Sequence, residues 1–83
     1  MIKVYEKTAA FCPQCMATKR WLDDRGHAYE LLAVEEHPEV VDAAKAVGVT
    51  AAPIVIVSDG HGEHVWGGFD TDQLETVIGG EKL

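Results

Sequence analysis

The amino-acid sequence predicts an α/β fold: a small four-stranded mixed sheet flanked by three helices, in the order βαβ, then α, then ββα. Two patterns predict it. Short segments alternate apolar and polar residues or run apolar, as strands do, and longer segments repeat apolar residues every three or four positions, as helices do. A βαβ unit joins two parallel strands by a right-handed crossover, and a closing hairpin adds antiparallel strands to the same sheet.

The first strand and helix are predicted within residues 2–26. Ile2–Tyr5 alternates apolar and polar residues, which is typical of a short strand. Lys7–Phe11 is a connection. Pro13 begins a helix, because proline loses no needed hydrogen bond at the first helical position, and Gly26 ends it. One face of this helix is predicted to carry Cys15, Thr18 and Leu22.

The second strand and helix follow. Tyr29–Val34 is nearly continuous in apolar residues, which predicts a strand covered on both faces. Pro38 begins a helix that Gly48 ends. Its apolar residues recur at i, i+4 and i+7, at Val40, Ala44 and Val47.

The last elements form a hairpin and a helix. Ile54–Val57 and Glu63–Gly67 are predicted strands, and Ser58–Gly62 is the turn between them. Asp70 caps the final helix. Gly79-Gly80 ends that helix, and residues 81–83 form a tail.

Composition restricts the class of protein. The chain has 83 residues, which fits one domain over residues 1–83. Acidic residues outnumber basic ones 14 to 7, so neither nucleic acid nor an anionic membrane is an expected partner. The longest apolar stretch, Ala51–Val57, is too short to span a membrane. No secretory signal is visible in the first 20 residues. We therefore expect a cytoplasmic monomer.

The two cysteines, Cys12 and Cys15, enclose Pro13 and Gln14 at the predicted start of the first helix. So small a loop adds little stability through chain entropy, which indicates a chemical role. The N–H groups and dipole at a helix start favour a thiolate, so we expect the pKa of Cys12 to be lower than that of a free thiol. Cys15 lies one turn further along, on the buried side. Cys12 would attack a partner disulfide, and Cys15 would resolve the mixed disulfide.

Two other interpretations of the cysteines stay open. They could be a buried structural pair, or they could bind zinc with His61 and His64. The spacing fits zinc poorly, because Cys15 and His61 are much further apart than in a zinc finger and the two histidines are closer together. Redox exchange is the favoured interpretation, with Lys7 adding positive charge near Cys12.

The Ala52-Pro53 pair precedes the third predicted strand. Proline is tolerated at a strand start because it need not donate to the ladder. The pair either does no more than begin the strand or forms a cis peptide that exposes backbone groups to a partner chain.

The segment Trp66–Asp70 (WGGFD) precedes the last helix. Its two glycines either serve a turn or let another backbone approach, and free N–H groups there can bind a carboxylate. Trp66 and Phe69 are either core residues or an exposed partner patch, and core is the default in a small domain.

These motifs resemble the NrdH-type redoxins of the glutaredoxin family along nearly the whole chain. The resemblance is carried by Cys12–Gly26, Gly48–Ile56 and Trp66–Phe69. It implies a thioredoxin-like fold in which Pro53 is cis. It also implies a dithiol–disulfide oxidoreductase that donates electrons to a class Ib ribonucleotide reductase. Its own reduction would come from thioredoxin reductase and NADPH, so the chain itself would hold no cofactor and no metal.

The catalytic candidates are Cys12 and Cys15. The candidate substrate- or partner-binding residues are Lys7, Pro13, Gln14, Ala52, Pro53, Trp66, Gly67, Gly68 and Phe69. Two features differ from the usual NrdH pattern. The connection from Lys7 to Cys12 is longer, and Gly67–Asp70 (GGFD) is closer to the glutaredoxins that use glutathione. A glutathione-dependent glutaredoxin is therefore the alternative function.

Overall fold

The computed structural model describes residues 1–79. Within them, one sheet holds four strands in the spatial order β2-β1-β3-β4. The strands are β1 (Ile2–Glu6), β2 (Glu30–Ala33), β3 (Ile54–Asp59) and β4 (Gly62–Gly67). The helix end predicted at Gly80 and the tail predicted at 81–83 lie outside the described residues.

The sheet is mixed, as predicted. β1 and β2 run parallel, whereas β3 is antiparallel to both β1 and β4. Glu6 pairs with Ala33, and Tyr5 pairs with Ile54. The last residues of β1 and β2 and the first residue of β3 therefore meet at one end of the sheet. The segment that follows β1 at this end carries the two cysteines, and the segment that precedes β3 carries Pro53.

Three helices accompany the sheet, in the predicted chain order. They are α1 (Pro13–Asp24), α2 (Pro38–Ala46) and α3, which begins as an α-helix at Thr71–Gln73 and continues in π-helical turns at Leu74–Ile78. A 3-10 turn, Val34–Glu36, connects β2 to α2. Asp70 caps α3 as predicted, because its carboxylate accepts a hydrogen bond of 3.1 Å from the Gln73 N–H.

Each face of the sheet has its own apolar core, because successive residues of a strand point to opposite faces. Val4 and Tyr5 illustrate the alternation, since they belong to different cores. The core on the α1 and α3 side consists of Val4, Trp21, Leu22, Val55, Val57, Trp66 and Leu74. The smaller core on the α2 side consists of Tyr5, Ala44 and Ile54, with partly buried aliphatic residues around them.

The structure corrects two expectations. β2 is not covered on both faces: it is an edge strand, and Glu30 and Leu31 are exposed. A continuous apolar run alone therefore does not establish that a strand is covered on both faces. The hairpin turn is also shorter than Ser58–Gly62, because strand pairing continues to Asp59 and Gly62. The Asp59 carboxylate accepts the His61 N–H at 2.7 Å, which supports this tight turn.

No helix within residues 1–79 is long and apolar enough to cross a membrane.

Candidate active site

Cys12 and Cys15 form a disulfide at the start of α1, with their Cα atoms 5.3 Å apart. Cys12 is the residue that caps the helix, and its Sγ accepts a hydrogen bond of 3.2 Å from the Cys15 N–H. Cys12 is partly exposed, whereas Cys15 is 1% exposed. The two sulfurs therefore differ in the way that the sequence predicts: one is reachable from solvent beside a helix N–H, and the other is enclosed.

Local sequence explains why the helix begins here. Pro13 occupies the first helical position, where its missing N–H costs no hydrogen bond. The Met16 N–H donates to the Cys12 carbonyl oxygen at 3.2 Å and so closes the first turn. The predicted buried face is confirmed, because Cys15, Thr18 and Leu22 are all buried, together with Trp21. The core thus holds α1 in an orientation that leaves Cys12 at the surface.

A second segment lies at the same end of the sheet. The peptide between Ala52 and Pro53 is cis, which confirms the expectation. Pro53 is fully buried, and its carbonyl oxygen accepts a hydrogen bond of 2.9 Å from the Gly68 N–H. Ala51 is exposed, and Ala52 is partly exposed. The segment that precedes β3 is therefore hydrogen-bonded to the segment that follows β4.

The Gln14 side chain connects this segment to the cysteine motif. Its Oε1 accepts a hydrogen bond of 2.8 Å from the Phe69 N–H. Gly68 has a φ of +77°, and a Cβ built there would lie 2.5 Å from the same Oε1. Both observations explain the glycine, because any larger residue would meet the Gln14 amide and strain the backbone. Gln14 is therefore hydrogen-bonded to Phe69 beside the disulfide, and Gly68 lies close to the same amide oxygen.

The remaining candidates of this segment have different surroundings. Trp66 is 4% exposed and packs in the core on the α1 and α3 side, so its side chain supports the site from within. Phe69 is 39% exposed. Gly67 packs against the segment that precedes β3, because a Cβ added at Gly67 would lie 2.6 Å from the Ala51 carbonyl oxygen. Of the two aromatic residues, Phe69 is therefore the one at the surface.

Two grooves lie beside these segments, and sequence reasoning missed most of their residues. One contains Lys7 together with Lys45 of α2, and it is lined by Val34, Val41, Thr50, Ala51, Ala52 and other apolar residues. The other is lined by Phe11, Pro13, Met16, Ala17 and Arg20. Phe11 is 79% exposed and Met16 is 56% exposed. The sequence offered two signals for this second groove. Phe11 is a hydrophobic residue directly before the cysteine motif, and Met16 lies outside the predicted buried face of α1.

The zinc interpretation fails on geometry. His61 and His64 belong to the β3–β4 hairpin, where His64 pairs with Val57. Val57 also pairs with Ile2, at the start of β1, whereas Cys12 follows the end of β1. The histidines and the cysteines therefore lie at opposite ends of the sheet, and they cannot complete one tetrahedral set. Within residues 1–79, no three His, Cys, Asp or Glu residues are grouped so as to hold a metal ion.

Comparison with known proteins establishes the family. The glutaredoxin family model matches residues 2–65. The glutaredoxin-like protein NrdH of Escherichia coli strain K12 is 38% identical over 66 residues, which are 80% of this chain and 76% of the relative. The chain belongs to the glutaredoxin family, among the NrdH-type redoxins. NrdH of Lactococcus lactis strain IL1403 is 34% identical to this redoxin over 59 residues, which are 71% of this chain and 79% of the relative.

A solved structure agrees with this assignment. The NrdH-redoxin of Escherichia coli, described as a glutaredoxin-like protein with a thioredoxin-like activity profile, superposes with a TM-score of 0.73 at 34% identity. The match covers 92% of each chain. The predicted thioredoxin-like fold is thus confirmed. With its Cys12–Cys15 pair, this redoxin is a thiol–disulfide oxidoreductase.

Proposed function

We propose that this redoxin is a dithiol electron donor for protein disulfides, with Cys12 as the attacking sulfur and Cys15 as the resolving sulfur. The difference between the two sulfurs supports these roles. Cys12 is partly exposed and accepts a helix N–H, which stabilises negative charge on its sulfur. Cys15 is enclosed by the core and cannot meet a partner disulfide before Cys12 does.

The exchange proceeds in two balanced steps. The Cys12 thiolate attacks one sulfur of the partner disulfide, which forms a mixed disulfide and releases the other partner sulfur as a thiolate. Cys15 loses its proton and attacks the Cys12 sulfur, which closes the Cys12–Cys15 bond and releases the second partner sulfur. The partner gains two electrons and two protons, and this redoxin loses them.

The surface around the disulfide supplies the docking site for the partner chain in this proposal. The partly exposed Ala52 borders it on one side and is held by the buried Pro53, and the segment Gly67–Phe69 lies next to them. Gln14 holds that segment in place, and Pro13 lies beside Cys12. Lys7 contributes positive charge from the α2-side groove. Trp66 acts through packing, because its side chain is in the core.

One observation carries the choice of reductant. The backbone N–H groups of the Gly67–Phe69 segment could bind a glutathione carboxylate, but the Gly68 N–H is bonded to the Pro53 carbonyl and the Phe69 N–H to Gln14. Two donors that could hold that carboxylate are therefore satisfied within the protein. We infer that thioredoxin reductase, with NADPH, is the electron source. The thioredoxin-like activity profile of the Escherichia coli relative supports the same choice.

The proposed electron acceptor is a class Ib ribonucleotide reductase, and its support is the NrdH-type resemblance. The proposed location is the cytoplasm, because a dithiol that must return to its reduced state suits a reducing compartment.

Glutathione is the second candidate reductant, and one observation favours it. Lys7 and Lys45 both line the groove beside Ala51 and Ala52, and within residues 1–79 neither lysine has an ion-pair partner. Sequence reasoning placed only Lys7 there. Two lysines could pair with the two carboxylates of glutathione. The flexible lysine side chains supply charge but do not fix the direction of a bound carboxylate, as backbone N–H groups would. Because the Gly68 and Phe69 N–H groups already have partners, we favour thioredoxin reductase.

Coupled turnover distinguishes the two reductants. The oxidised protein would be offered thioredoxin reductase with NADPH in one assay and glutathione with glutathione reductase and NADPH in the other. We expect faster NADPH consumption in the first. Rapid turnover at millimolar glutathione, without response to a thioredoxin reductase from a matching host, would establish the glutathione-dependent alternative instead.

A further inference from the structure

The connection between β1 and α1 has no core of its own to hold it. Its five residues, Lys7–Phe11, are all exposed. This connection leads directly to Cys12, which caps α1. Exposed loops without buried side chains sample many conformations unless hydrogen bonds restrict them. Some other interaction must therefore determine how the chain arrives at the reactive sulfur.

The Glu35 carboxylate supplies that interaction. Its Oε2 accepts the Thr8 N–H at 3.0 Å and the Ala9 N–H at 2.9 Å, and its Oε1 accepts the Thr8 hydroxyl at 2.8 Å. The Thr8 N–H also lies 3.2 Å from Oε1. Three donors from two adjacent residues thus converge on one carboxylate. Hydrogen bonds to an ionised acceptor are about twice as strong as neutral ones.

The sheet register explains why these residues meet. Glu6 and Ala33 are partners in the parallel β1–β2 pair. Two residues further along each chain are Thr8 and Glu35, on the same end of the sheet. The 3-10 turn after β2 keeps Glu35 close to that end, so its side chain can cross to the neighbouring connection.

We propose that Glu35 is a positioning residue for the exchange reaction: its carboxylate fixes the connection Lys7–Phe11 and so orients the two grooves beside Cys12 toward a protein substrate. The ends of the connection contribute to different grooves, Lys7 to the one on the α2 side and Phe11 to the one on the α1 side. Releasing Thr8 and Ala9 would free both ends at once.

The proposal predicts a loss that depends on substrate size, and it rests on Cys12 being the attacking sulfur. A protein disulfide uses the grooves, whereas a small disulfide needs only the sulfur. Glu35→Ala should therefore raise KM for insulin about tenfold, with dithiothreitol as the final reductant. Turnover of hydroxyethyl disulfide should change less than twofold. Glu35→Gln, which keeps one acceptor oxygen, should restore part of the loss.

Glu36→Ala is the matched control, because Glu36 is the next residue, also carries a carboxyl group, and its side chain makes no hydrogen bond or ion pair within residues 1–79. Amide hydrogen exchange should show faster exchange at Thr8 and Ala9 in Glu35→Ala and no change in Glu36→Ala. Thr8→Val removes only the hydroxyl donor and provides a milder second variant if Glu35→Ala folds poorly. It should raise KM for insulin by a smaller factor.

Two results would overturn the proposal. The first is a Glu35→Ala protein in which the Thr8 and Ala9 amides exchange faster but KM for insulin equals that of Glu36→Ala. The other is an equal loss on insulin and hydroxyethyl disulfide, which would mean that Glu35 acts only through the fold. The wild-type and Glu36→Ala proteins report separately on the proposed function, because both should reduce insulin whatever Glu35 does.

Discussion

The Gln14 Oε1 and the Phe69 N–H are 2.8 Å apart, although 55 positions separate the two residues in the chain. This bond connects the middle of the cysteine motif to the segment after β4. Within residues 1–79, Gln14 is the partner of the Phe69 N–H, so removing its side chain leaves that donor without this acceptor. A residue between the two cysteines therefore occupies a backbone donor of the neighbouring segment.

Gln14→Ala should increase the use of glutathione. The substitution frees the Phe69 N–H, which can then bind a carboxylate. One recovered hydrogen bond to a charged group is worth about 1.5–3 kcal/mol, so we expect the rate of disulfide reduction by glutathione to rise by about tenfold or more. The measurement is NADPH consumption coupled to glutathione reductase.

Gln73→Ala is the control for this comparison, since the Gln73 side chain is exposed and makes no hydrogen bond within residues 1–79. Equal glutathione rates for Gln14→Ala, Gln73→Ala and wild type would show that the bond to Phe69 does not limit glutathione use.

Single cysteine variants should separate the roles of the two sulfurs. Cys15→Ser leaves the partly exposed Cys12 able to attack but removes the resolving thiol, so a mixed disulfide with a protein substrate should accumulate. Cys12→Ser leaves only the enclosed Cys15 and should accumulate none. Non-reducing gel electrophoresis or intact mass measures the adduct. An adduct formed only by Cys12→Ser would reverse the assignment.

Local patterns were sufficient for most of the fold. The alternation over Ile2–Tyr5 predicts a strand, and β1 forms there, with Val4 and Tyr5 buried in separate cores. Pro13 and Gly26 mark the ends of α1 because their backbone preferences act within a few residues. The boundaries differ from the predictions by one or two residues, as at Asp59, where an aspartate side chain allowed the strand to extend.

Contacts between distant segments could not be predicted from the sequence patterns. The pairing of Gln14 with Phe69 and of Glu35 with Thr8 depends on the sheet register, which a single residue pattern does not specify. The edge position of β2 could not be predicted for the same reason, since strand order depends on pairing between distant segments. The place of Lys45 in the groove with Lys7 depends on the packing of α2 and could not be predicted from the sequence.

Gly67→Ala should destabilise the protein and disturb the site together. A Cβ at Gly67 would lie 2.6 Å from the Ala51 carbonyl oxygen and 2.7 Å from Cγ1 of Val49. Backbone must move to relieve the first contact, so we expect a loss of about 1–3 kcal/mol in the free energy of unfolding. Denaturant unfolding measures it, and insulin reduction should slow because Ala51 and Ala52 shift.

Gly60→Ala is the matched control for Gly67→Ala. Gly60 lies in the hairpin turn at the opposite end of the sheet, and an added Cβ meets nothing within 4 Å. Its effect should stay within about 0.5 kcal/mol. A Gly67→Ala protein as stable as Gly60→Ala would contradict the close approach of Ala51.

The Glu35 carboxylate should make stability depend on pH in an acidic window. Hydrogen bonds from the Ala9 N–H, from its own N–H and from Thr8 lower the pKa of Glu35 from 4.5 to about 2. Because the pKa is lower in the folded protein, the stabilisation is fully present above pH 4.5 and is lost as the pH falls toward 2. The difference in Tm between wild type and Glu35→Gln should therefore be constant at neutral pH and shrink across that window. Glu36→Gln is the control, because the Glu36 side chain makes no hydrogen bond or ion pair within residues 1–79. A Glu35→Gln difference that persisted unchanged at pH 2 would exclude the charge of Glu35 as its source.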